Sequence, residues 1–506
     1  MDSSSTISAT STTPSSSSSP LKGRQPCAVV VGGGPGGLAA SIMLAEKGYD
    51  VKVLEKREAV TYEPTRAYLY LIDARGQKFT ERFNLTDKLK RKGVSSLNYT
   101  IARVYPDKRG TTRSVPPMLS PDRKASYWIS RYEMLKLLTE KAEEYPNIEI
   151  HYGSSFTTID AKGDQALVSA GHLEFTPDLI VGADGVASKV REVCAELSGD
   201  HEGFEPIKYP SASSNLRYKM ITLPPRFPLN KEERSEGRQA YAIYSKVKDP
   251  KKKGKLGLLP VAQEDSPRTA NIIQKPDHVI WDMKDGDQVM AWLSENFPHI
   301  PIADIVSKEE AAAFASERGG QFPDPQYTKR IQATIGANAQ GEKGTTCVLV
   351  GDSIHAFPPD LGQGVNAALD DVCDFEAALD AAAEAKTGQK DQTAILKTAA
   401  QSYEKLRVPE SEGLIKVMQI GFPYQYGQDP LAEKLWMVNF VLRSFVLSKI
   451  LPRVFYPAAV IMLQDATLRY SEVWRREQQT TRRLFAFLGL GAALVFFRQF
   501  MPLLLA

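Results

Sequence analysis

Apolar residues follow two different patterns along the chain, and each pattern predicts its own kind of sheet. Short apolar runs at 29–31, 51–54 and 347–350 end at a glycine or a glutamate, which is typical of buried parallel strands. The segments 216–223 and 239–245 instead alternate apolar and polar residues, as antiparallel strands do. We therefore expect an α/β fold in which an antiparallel sheet is inserted into a parallel-sheet domain.

The two ends of the chain depart from both patterns. Residues 1–25 are rich in serine, threonine and proline, which predicts a disordered tail, with an organelle-import peptide as the alternative. Residues 484–497 carry no charge, and 484–506 together are long enough to cross a bilayer. We expect a single-pass C-terminal membrane anchor there, with a helix packed on the protein's own core as the alternative. The apolar stretch 431–463 is interrupted by charges and predicts amphipathic helices on the folded body or at the bilayer surface.

Composition restricts the partners. The 506 residues include 63 Lys and Arg against 60 Asp and Glu, so the net charge of +3 does not favour binding to nucleic acid. Four scattered cysteines predict neither a disulfide framework nor a metal site. The basic run 246–255 contains Asp249-Pro250 and Gly254, which favour a solvated hairpin turn over a contact with anionic lipid.

The first candidate motif is a glycine-rich loop after the strand at 29–31. Gly32 permits a tight turn, Gly34 lets a pyrophosphate approach the backbone, and Gly37 lets the next helix pack on the strand. Glu55 follows a second strand and is placed to accept hydrogen bonds from ribose hydroxyls. The motif predicts a dinucleotide site for NAD or FAD, since an acid at this place disfavours a 2′-phosphate.

Two further motifs follow apolar strands. At Asp184-Gly185, the aspartate either belongs to the cofactor site or caps the next helix. At Gly351-Asp352, a proline-stiffened loop leads through Gly362-Gln363-Gly364 to a helix whose N-terminus offers free N–H groups. His355 in this loop is either catalytic or fixes the loop's geometry, and the second interpretation is favoured.

Together and in this order, the three motifs resemble those of the FAD-dependent aromatic hydroxylases, which are single-component flavoprotein monooxygenases. The resemblance implies FAD, with NADPH or NADH as a transient co-substrate and O₂ as oxidant. It also implies hydroxylation of an aromatic ring through a flavin C4a-hydroperoxide, so that the flavin, and no protein side chain, carries the chemistry. The residues expected to hold FAD are Gly32, Gly34, Gly36, Gly37, Leu54, Glu55, Lys56, Arg57, Arg131, Asp184, Asp352, Gly364, Val365 and Asn366.

Within that family, the kynurenine 3-monooxygenase branch is the most similar. The resemblance rests on the segments 66–76, 129–131, 296–298 and 468–470, the last of which precedes the hydrophobic tail. It implies an anchor in the mitochondrial outer membrane or another organelle membrane, with the enzyme facing the cytosol.

The substrate positions diverge from that branch. In that branch the amino-acid carboxylate of kynurenine is held by an arginine and a tyrosine on the sheet and by an asparagine and a second tyrosine from the C-terminal helices. Their four places are taken here, in that order, by Tyr99, Pro117, Gly421 and Ala459. Arg103 or Tyr424 would be the substitute ligand, and the substrate-side candidates are Tyr99, Arg103 and Pro359. Loss of a charge-assisted contact is worth about 1.5–3 kcal/mol, which predicts a different and less charged aromatic substrate.

The predicted domains are a Rossmann-type FAD-binding domain (26–200 and 331–400), a substrate-domain sheet (201–330), a helical region (401–475) and the anchor (484–506). Two other functions remain open on the same cofactor fold. One is a membrane-bound epoxidase of an isoprenoid or lipid substrate, and the other is a tail-anchored flavoprotein without catalysis.

Overall fold

A computed structural model describes residues 25–63, 68–97, 100–107, 110–115, 123–336, 343–385 and 391–504, with side chains described as far as Phe487 in the last helix. The strands are β1 (Cys27–Val31), β2 (Asp50–Leu54), β3 (Leu69–Ile72), β4 (Val94–Ser95), β5 (Ile101–Val104), β6 (Thr112–Val115), β7 (Tyr127–Ser130), β8 (Ile148–His151), β9 (Thr158–Lys162), β10 (Gln165–Ala170), β11 (Leu173–Phe175), β12 (Leu179–Gly182), β13 (Ile207–Lys208), β14 (Arg217–Leu223), β15 (Ala240–Tyr244), β16 (Lys255–Leu258), β17 (Arg268–Gln274), β18 (Gly320–Gln321), β19 (Gln326–Tyr327), β20 (Gln332–Ile335), β21 (Thr345–Leu349) and β22 (His355–Ala356).

The α-helices are α1 (Pro35–Glu46), α2 (Ala74–Arg82), α3 (Thr86–Lys92), α4 (Arg131–Ala142), α5 (Lys189–Ser198), α6 (His201–Phe204), α7 (Gly286–Asn296), α8 (Ile302–Ile305), α9 (Lys308–Ser316), α10 (Gly364–Ala385), α11 (Gln392–Ile420), α12 (Pro430–Val441), α13 (Ser448–Ile450), α14 (Ala459–Met462) and α15 (Tyr470–Leu504). Short 3₁₀ turns cover Val279–Trp281, Gly351–Ser353 and Pro359–Leu361, and a π-helix over Leu442–Leu447 joins α12 to α13.

The first layer is a six-stranded sheet in the order β20-β21-β12-β1-β2-β8. The strands from β21 to β8 are parallel, and the apolar central strands β1 and β12 are buried between helices, as expected for a doubly wound domain. The carboxyl ends of β1, β2, β12 and β21 therefore meet at one edge of this sheet. All three sequence motifs begin at that edge.

The second layer is a seven-stranded sheet in the order β18-β14-β17-β16-β15-β5-β6. One of its faces packs on α7, α8 and α9 around a separate apolar core. The run 246–255 links the antiparallel strands β15 and β16, in agreement with the predicted hairpin turn. The sheet extends beyond the predicted 201–330, because β5 pairs in parallel with β15 and brings β6 with it. Such a pairing joins segments almost 140 residues apart, and local patterns do not indicate it.

The C-terminal helices complete the fold. Helix α11 begins at Gln392, inside the range predicted for the FAD-binding domain, and packs against α10 and α15. Among the described side chains, no helix is long and apolar enough to cross a membrane. Most of the predicted anchor at 484–506 lies outside those side chains, so it stays a prediction. The predicted tail at 1–25 also lies outside the described residues, apart from Gln25.

Candidate FAD and substrate site

The glycine-rich loop between β1 and α1 is held against the end of β2. The Gly32 amide donates to the Leu54 carbonyl at 2.8 Å, and the Gly33 amide donates to Glu55 Oε2 at 2.8 Å. Gly32 has a φ of 109°, in the region that favours glycine. The Glu55 carboxylate thus fixes the turn that would face a pyrophosphate.

The glycines of this loop serve different purposes. A Cβ on Gly37 would lie 1.9 Å from the Gly32 carbonyl oxygen, so only glycine lets α1 approach the strand this closely. A Cβ on Gly34 would meet no protein atom within 4 Å, so the protein leaves space above that position. Gly36 faces Ala368 of α10, which brings the first and third motifs together. This division matches the turn, approach and packing roles predicted from the sequence.

The residues that follow β2 differ in their burial and in their contacts. Glu55 is buried and also accepts from the Arg57 amide at 2.9 Å, while Lys56 is exposed. Arg57 is partly exposed and forms an ion pair with Glu63 at 3.1 Å. The Leu54 side chain lies in the core, so Leu54 has only its backbone to offer a cofactor.

Asp184 acts as a structural residue for the start of α5. Its carboxylate accepts from the Val190 amide at 3.1 Å and from the Ser188 and Ser353 hydroxyl groups. Ser188 itself caps the helix by accepting from the Arg191 amide. The N-cap residue is therefore Ser188 and not Asp184, which supports the first turn of α5 through Val190 and Ser188. The bond from Ser353 ties this motif to the Gly351-Asp352 turn.

Asp352 and His355 have different environments although they share one turn. The Asp352 side chain is open to the cleft yet surrounded by protein, and burial raises its pKa, partly opposed by His355. His355 is fully buried, and its Nε2 lies 2.9 Å from Asp371 Oδ2. His355 thus fixes the loop's geometry, whereas Asp352 remains available to a ligand.

Beneath this turn lies a buried ionic cluster. Arg407 of α11 pairs with Asp371 and lies 3.0 Å from Asp370 and 3.3 Å from Asp374. Burial lowers the pKa of Arg407, but the charges of these carboxylates more than reverse that effect. Asp371 also accepts from the Gly351 amide at 2.7 Å. The cluster holds the turn that carries Asp352 onto α10.

The glycine-rich loop before α10 is fixed by side-chain amides. Asn366 is fully buried, donates to the Leu71 and Gly362 carbonyls at 2.7 and 2.9 Å, and accepts from the Asp73 amide at 3.0 Å. Its amide therefore has no atom free for the cofactor, unlike the prediction that it lines the flavin. Helix α10 begins at Gly364, and Val365 after it is buried. The N–H groups of this first turn face the cleft.

Arg131 lies at the start of α4, opposite the third motif. It is almost fully buried, and its amide donates to the Tyr68 carbonyl at 3.0 Å. Burial raises the pKa of Tyr70. The charge of Arg131 lowers this pKa, and the charge of Asp352 raises it. These two predicted cofactor residues are therefore near neighbours of one tyrosine.

Sequence reasoning missed the residues that attach the C-terminal region to this site. Arg75, on α2, donates to the Leu463, Asp465 and Leu468 carbonyls, and its guanidinium lies 4.7 Å from the centre of the Tyr470 ring. The Tyr470 hydroxyl donates to Gln363 at 3.0 Å. Both residues lie in segments that carried the family resemblance, but nothing local showed that they touch.

The open face of the seven-stranded sheet approaches the third motif. Lys255 Nζ lies 3.4 Å from the Gln425 carbonyl, and the Gln425 amide donates to the Asp360 carbonyl at 2.9 Å. Burial lowers the pKa of Lys255; the charge of Glu433 opposes this effect, and nearby Arg103 adds to it. Arg103 is exposed on β5, beside Ala242 of β15. The sheet thus brings cations to the same region as the glycine-rich loop.

Aromatic rings accompany these cations. Tyr105 and Tyr244 stack with ring centres 5.3 Å apart, and Tyr244 is the cross-strand partner of Lys255. Of the other substrate-side candidates, Pro359 is exposed at the start of its 3₁₀ turn. Tyr99 lies outside the described residues, as does Pro117.

Two of the positions predicted to correspond to kynurenine ligands, Gly421 and Ala459, are packed against neighbouring protein atoms. A Cβ on Gly421 would lie 2.1 Å from a methyl carbon of Leu361. Ala459 is buried, and its amide donates to the Glu477 carboxylate at 3.1 Å. Neither position offers a polar side chain to a ligand.

The space above Gly34, the open Asp352 carboxylate and the N-terminus of α10 fit a flavin dinucleotide. The glycine loop would hold its pyrophosphate, and Asp352 and α10 would hold its flavin half. Fold and site together define an FAD-binding flavoprotein, and residues 26–221 match the family model of the FAD binding domain.

The chain is similar along most of its length to flavin monooxygenases. It is 24% identical to the kynurenine 3-monooxygenase of Salinispora arenicola over 479 residues, which cover 90% of this chain and 91% of that protein. It is also 24% identical to the FAD-dependent monooxygenase olcE of Penicillium canescens over 390 residues, covering 75% of this chain and 77% of that protein.

Solved structures share the fold. A tetrameric 2-methyl-3-hydroxypyridine-5-carboxylic acid oxygenase gives a TM-score of 0.56 at 18% identity, covering 86% of this chain and 99% of that one. An HpxO variant from Klebsiella pneumoniae complexed with FAD gives 0.53 at 19% identity, covering 82% and 94%. The predicted resemblance is confirmed: the chain is an FAD-dependent monooxygenase, similar in sequence to kynurenine 3-monooxygenase and to another FAD-dependent monooxygenase.

Proposed function

We propose that this chain uses NAD(P)H and O₂ to hydroxylate an aromatic substrate other than kynurenine. The observation that carries the proposal is the approach of a cationic and aromatic sheet face to the glycine-rich loop, through Lys255, Gln425 and Asp360. A flat ring with one polar or anionic group fits such a face. The packed positions at Gly421 and Ala459 support a substrate that lacks the amino-acid group of kynurenine.

In this proposal the bound FAD supplies the redox chemistry with O₂, and the chain's own residues hold and orient the reactants. The glycine loop and Glu55 would hold the dinucleotide end, and Asp352 would accept hydrogen bonds from hydroxyl groups of the ribityl chain. Arg103 and Lys255 attract the polar group of the substrate, and the tyrosines of the sheet cover its ring. Positioning of this kind supplies rate by orientation and by exclusion of water.

The test is flavin reduction by NADPH and by NADH in a stopped-flow instrument, with FAD-loaded protein and a panel of aromatic acids, phenols and L-kynurenine. We expect one class of aromatic compound other than kynurenine to accelerate reduction. Arg103→Gln is the matched variant and should raise the concentration of an anionic substrate needed for half-maximal acceleration, with unchanged FAD content. Acceleration by kynurenine alone, or by an isoprenoid substrate alone, would contradict the proposal.

We also propose that residues 484–506 anchor the chain in the mitochondrial outer membrane or another organelle membrane, with the FAD site on the cytosolic side. Support comes from the sequence, since 484–497 carry no charge and Arg475, Arg476, Arg482 and Arg483 precede them. Carbonate extraction of membranes and fractionation of cells provide the test. The full chain should stay in the membrane fraction, and its release by carbonate would refute the anchor.

A further inference from the structure

An apolar ridge follows one face of α12 and the π-helix after it. Leu431, Leu435, Val438, Leu442 and Phe445 are spaced by three or four residues, which places them on one side of a helix. The first three are 68%, 64% and 66% exposed, and Phe445 is 58% exposed. Globular surfaces rarely leave so many large apolar side chains together in water.

The exposed large apolar side chains are concentrated in one part of the molecule. Of the large apolar side chains exposed among the described residues, twelve of seventeen lie in two stretches, 431–451 and 485–487. The two stretches are adjacent, because the rings of Phe455 and Phe487 lie 5.6 Å apart and Arg483 donates to the Val454 carbonyl. The ridge thus reaches the point where α15 enters the apolar C-terminal sequence.

The opposite face of the same helix is firmly attached to the protein. Phe440 is buried and stacks on Trp436 with ring centres 5.4 Å apart, and the Trp436 indole donates to the Ile420 carbonyl at 2.8 Å. Arg443 is buried, pairs with Glu477 of α15, and lies 2.9 Å from the Thr481 hydroxyl. Because the inner face is packed, the ridge is a fixed outward surface of the folded chain.

The charges around the ridge are mainly basic, apart from Glu433 on α12 and the N-cap residue Asp429 of the same helix. No acidic residue occurs from Lys434 to Gln464, nor from residue 478 to the end of the chain. Lys434, Lys449, Arg453 and Arg482 are exposed. Lysine and arginine beside an apolar helix face match the interface of an anionic bilayer, where apolar side chains enter the acyl boundary and cations meet the headgroups.

We propose that this ridge lies in the surface of an anionic lipid bilayer, so that the folded body itself contacts the membrane along α12. The proposal rests on the described side chains and requires neither the proposed substrate nor a spanning anchor. A bilayer in contact with the ridge would sit beside the 421–429 segment, which borders the site through Gln425.

The test uses the full FAD-loaded chain with Cys27 and Cys373 replaced by serine, and an NBD fluorophore on Val438→Cys. The matched control carries NBD on Leu197→Cys, which is an exposed apolar position on α5. Vesicles of phosphatidylcholine with a quarter phosphatidylglycerol carry doxyl quenchers either near the headgroup or near the chain end. We expect a blue shift and stronger quenching by the shallow doxyl at 438, with neither at 197.

Three outcomes would overturn the proposal. NBD at 438 could remain unquenched while the protein floats with the vesicles, which would mean that the tail alone holds the chain. A blue shift that depends on protein concentration but not on doxyl lipid would identify a second copy as the occupant. Equal quenching at 438 and 197 would show non-specific adsorption. Flavin reduction in the same samples reports separately on the proposed function.

Discussion

Asp360 offers a sensitive probe of how the third motif packs against the C-terminal segment. Its carboxyl is buried beside Ser213, Tyr426 and Gln425, and its Oδ1 accepts no hydrogen bond in the described structure. Burial raises the pKa of Asp360 from 3.8 to about 7, although these three neighbours lower it. The proton is therefore held more tightly in the folded state than in the unfolded one.

The sign of the pH dependence follows from this difference. Between about pH 4 and about pH 7 the folded state binds more protons, so the free energy of unfolding falls as the pH rises. Each pKa unit corresponds to ~1.36 kcal/mol, so a shift of roughly three units gives about 4 kcal/mol across this range. Asp360→Asn removes the titration, and the variant should gain about that much over the wild type between about pH 4 and about pH 8.

The assay is urea unfolding of both proteins at several pH values, followed by tryptophan fluorescence. Asp200→Asn is the control, because Arg330 lies 2.9 Å away and the pKa of that exposed carboxyl is lowered. Because the pKa of Asp200 is lowered from 3.8, the control should keep a constant difference from the wild type between about pH 4 and about pH 8 and lose it only at lower pH. A difference between Asp360→Asn and the wild type that is flat with pH would refute the burial of this carboxyl.

Other predictions concern the cofactor cradle and its support. Gly37→Ala should disrupt the apoprotein by about 1–3 kcal/mol, because its methyl group meets the Gly32 carbonyl, whereas Gly34→Ala should leave apoprotein unfolding unchanged but abolish FAD retention. If Gly37→Ala and Gly34→Ala changed the free energy of unfolding equally, the different roles of the two glycines would be contradicted. Arg407→Met should cost about 3–5 kcal/mol by leaving buried carboxylates unpaired, measured by urea unfolding. Arg475→Met, on an exposed helical pair, is its control and should change little.

The local geometry of the glycine-rich loop could be predicted well, because it depends on short segments of the sequence. The turn at Gly32, the close packing at Gly37 and the place of Glu55 follow from one strand, one loop and one helix. The role of His355 was also accessible, since a histidine inside a tight loop usually finds a local partner. Here that partner is Asp371, sixteen residues further along the chain.

Long-range contacts could not be predicted from local sequence patterns in the same way. The contact of Arg75 with the segment before Tyr470 joins residues almost 400 positions apart, and the pairing of β5 with β15 joins two otherwise separate patterns. Asn366 shows a second limit. Its motif indicates a cofactor contact, but the fold uses the whole amide to join α10 to β3. Such a motif thus does not distinguish a residue that binds a ligand from one that supports the site.

The measurement that tests the central claim most directly is oxygen incorporation. FAD-loaded protein, NAD(P)H and the aromatic compound that accelerates flavin reduction are incubated under ¹⁸O₂, and the product is analysed by mass spectrometry. A monooxygenase places one labelled atom in the hydroxylated ring and releases the other as water, so the product should gain a single ¹⁸O. A product that carries unlabelled oxygen, or flavin turnover with no oxygenated product, would contradict the account.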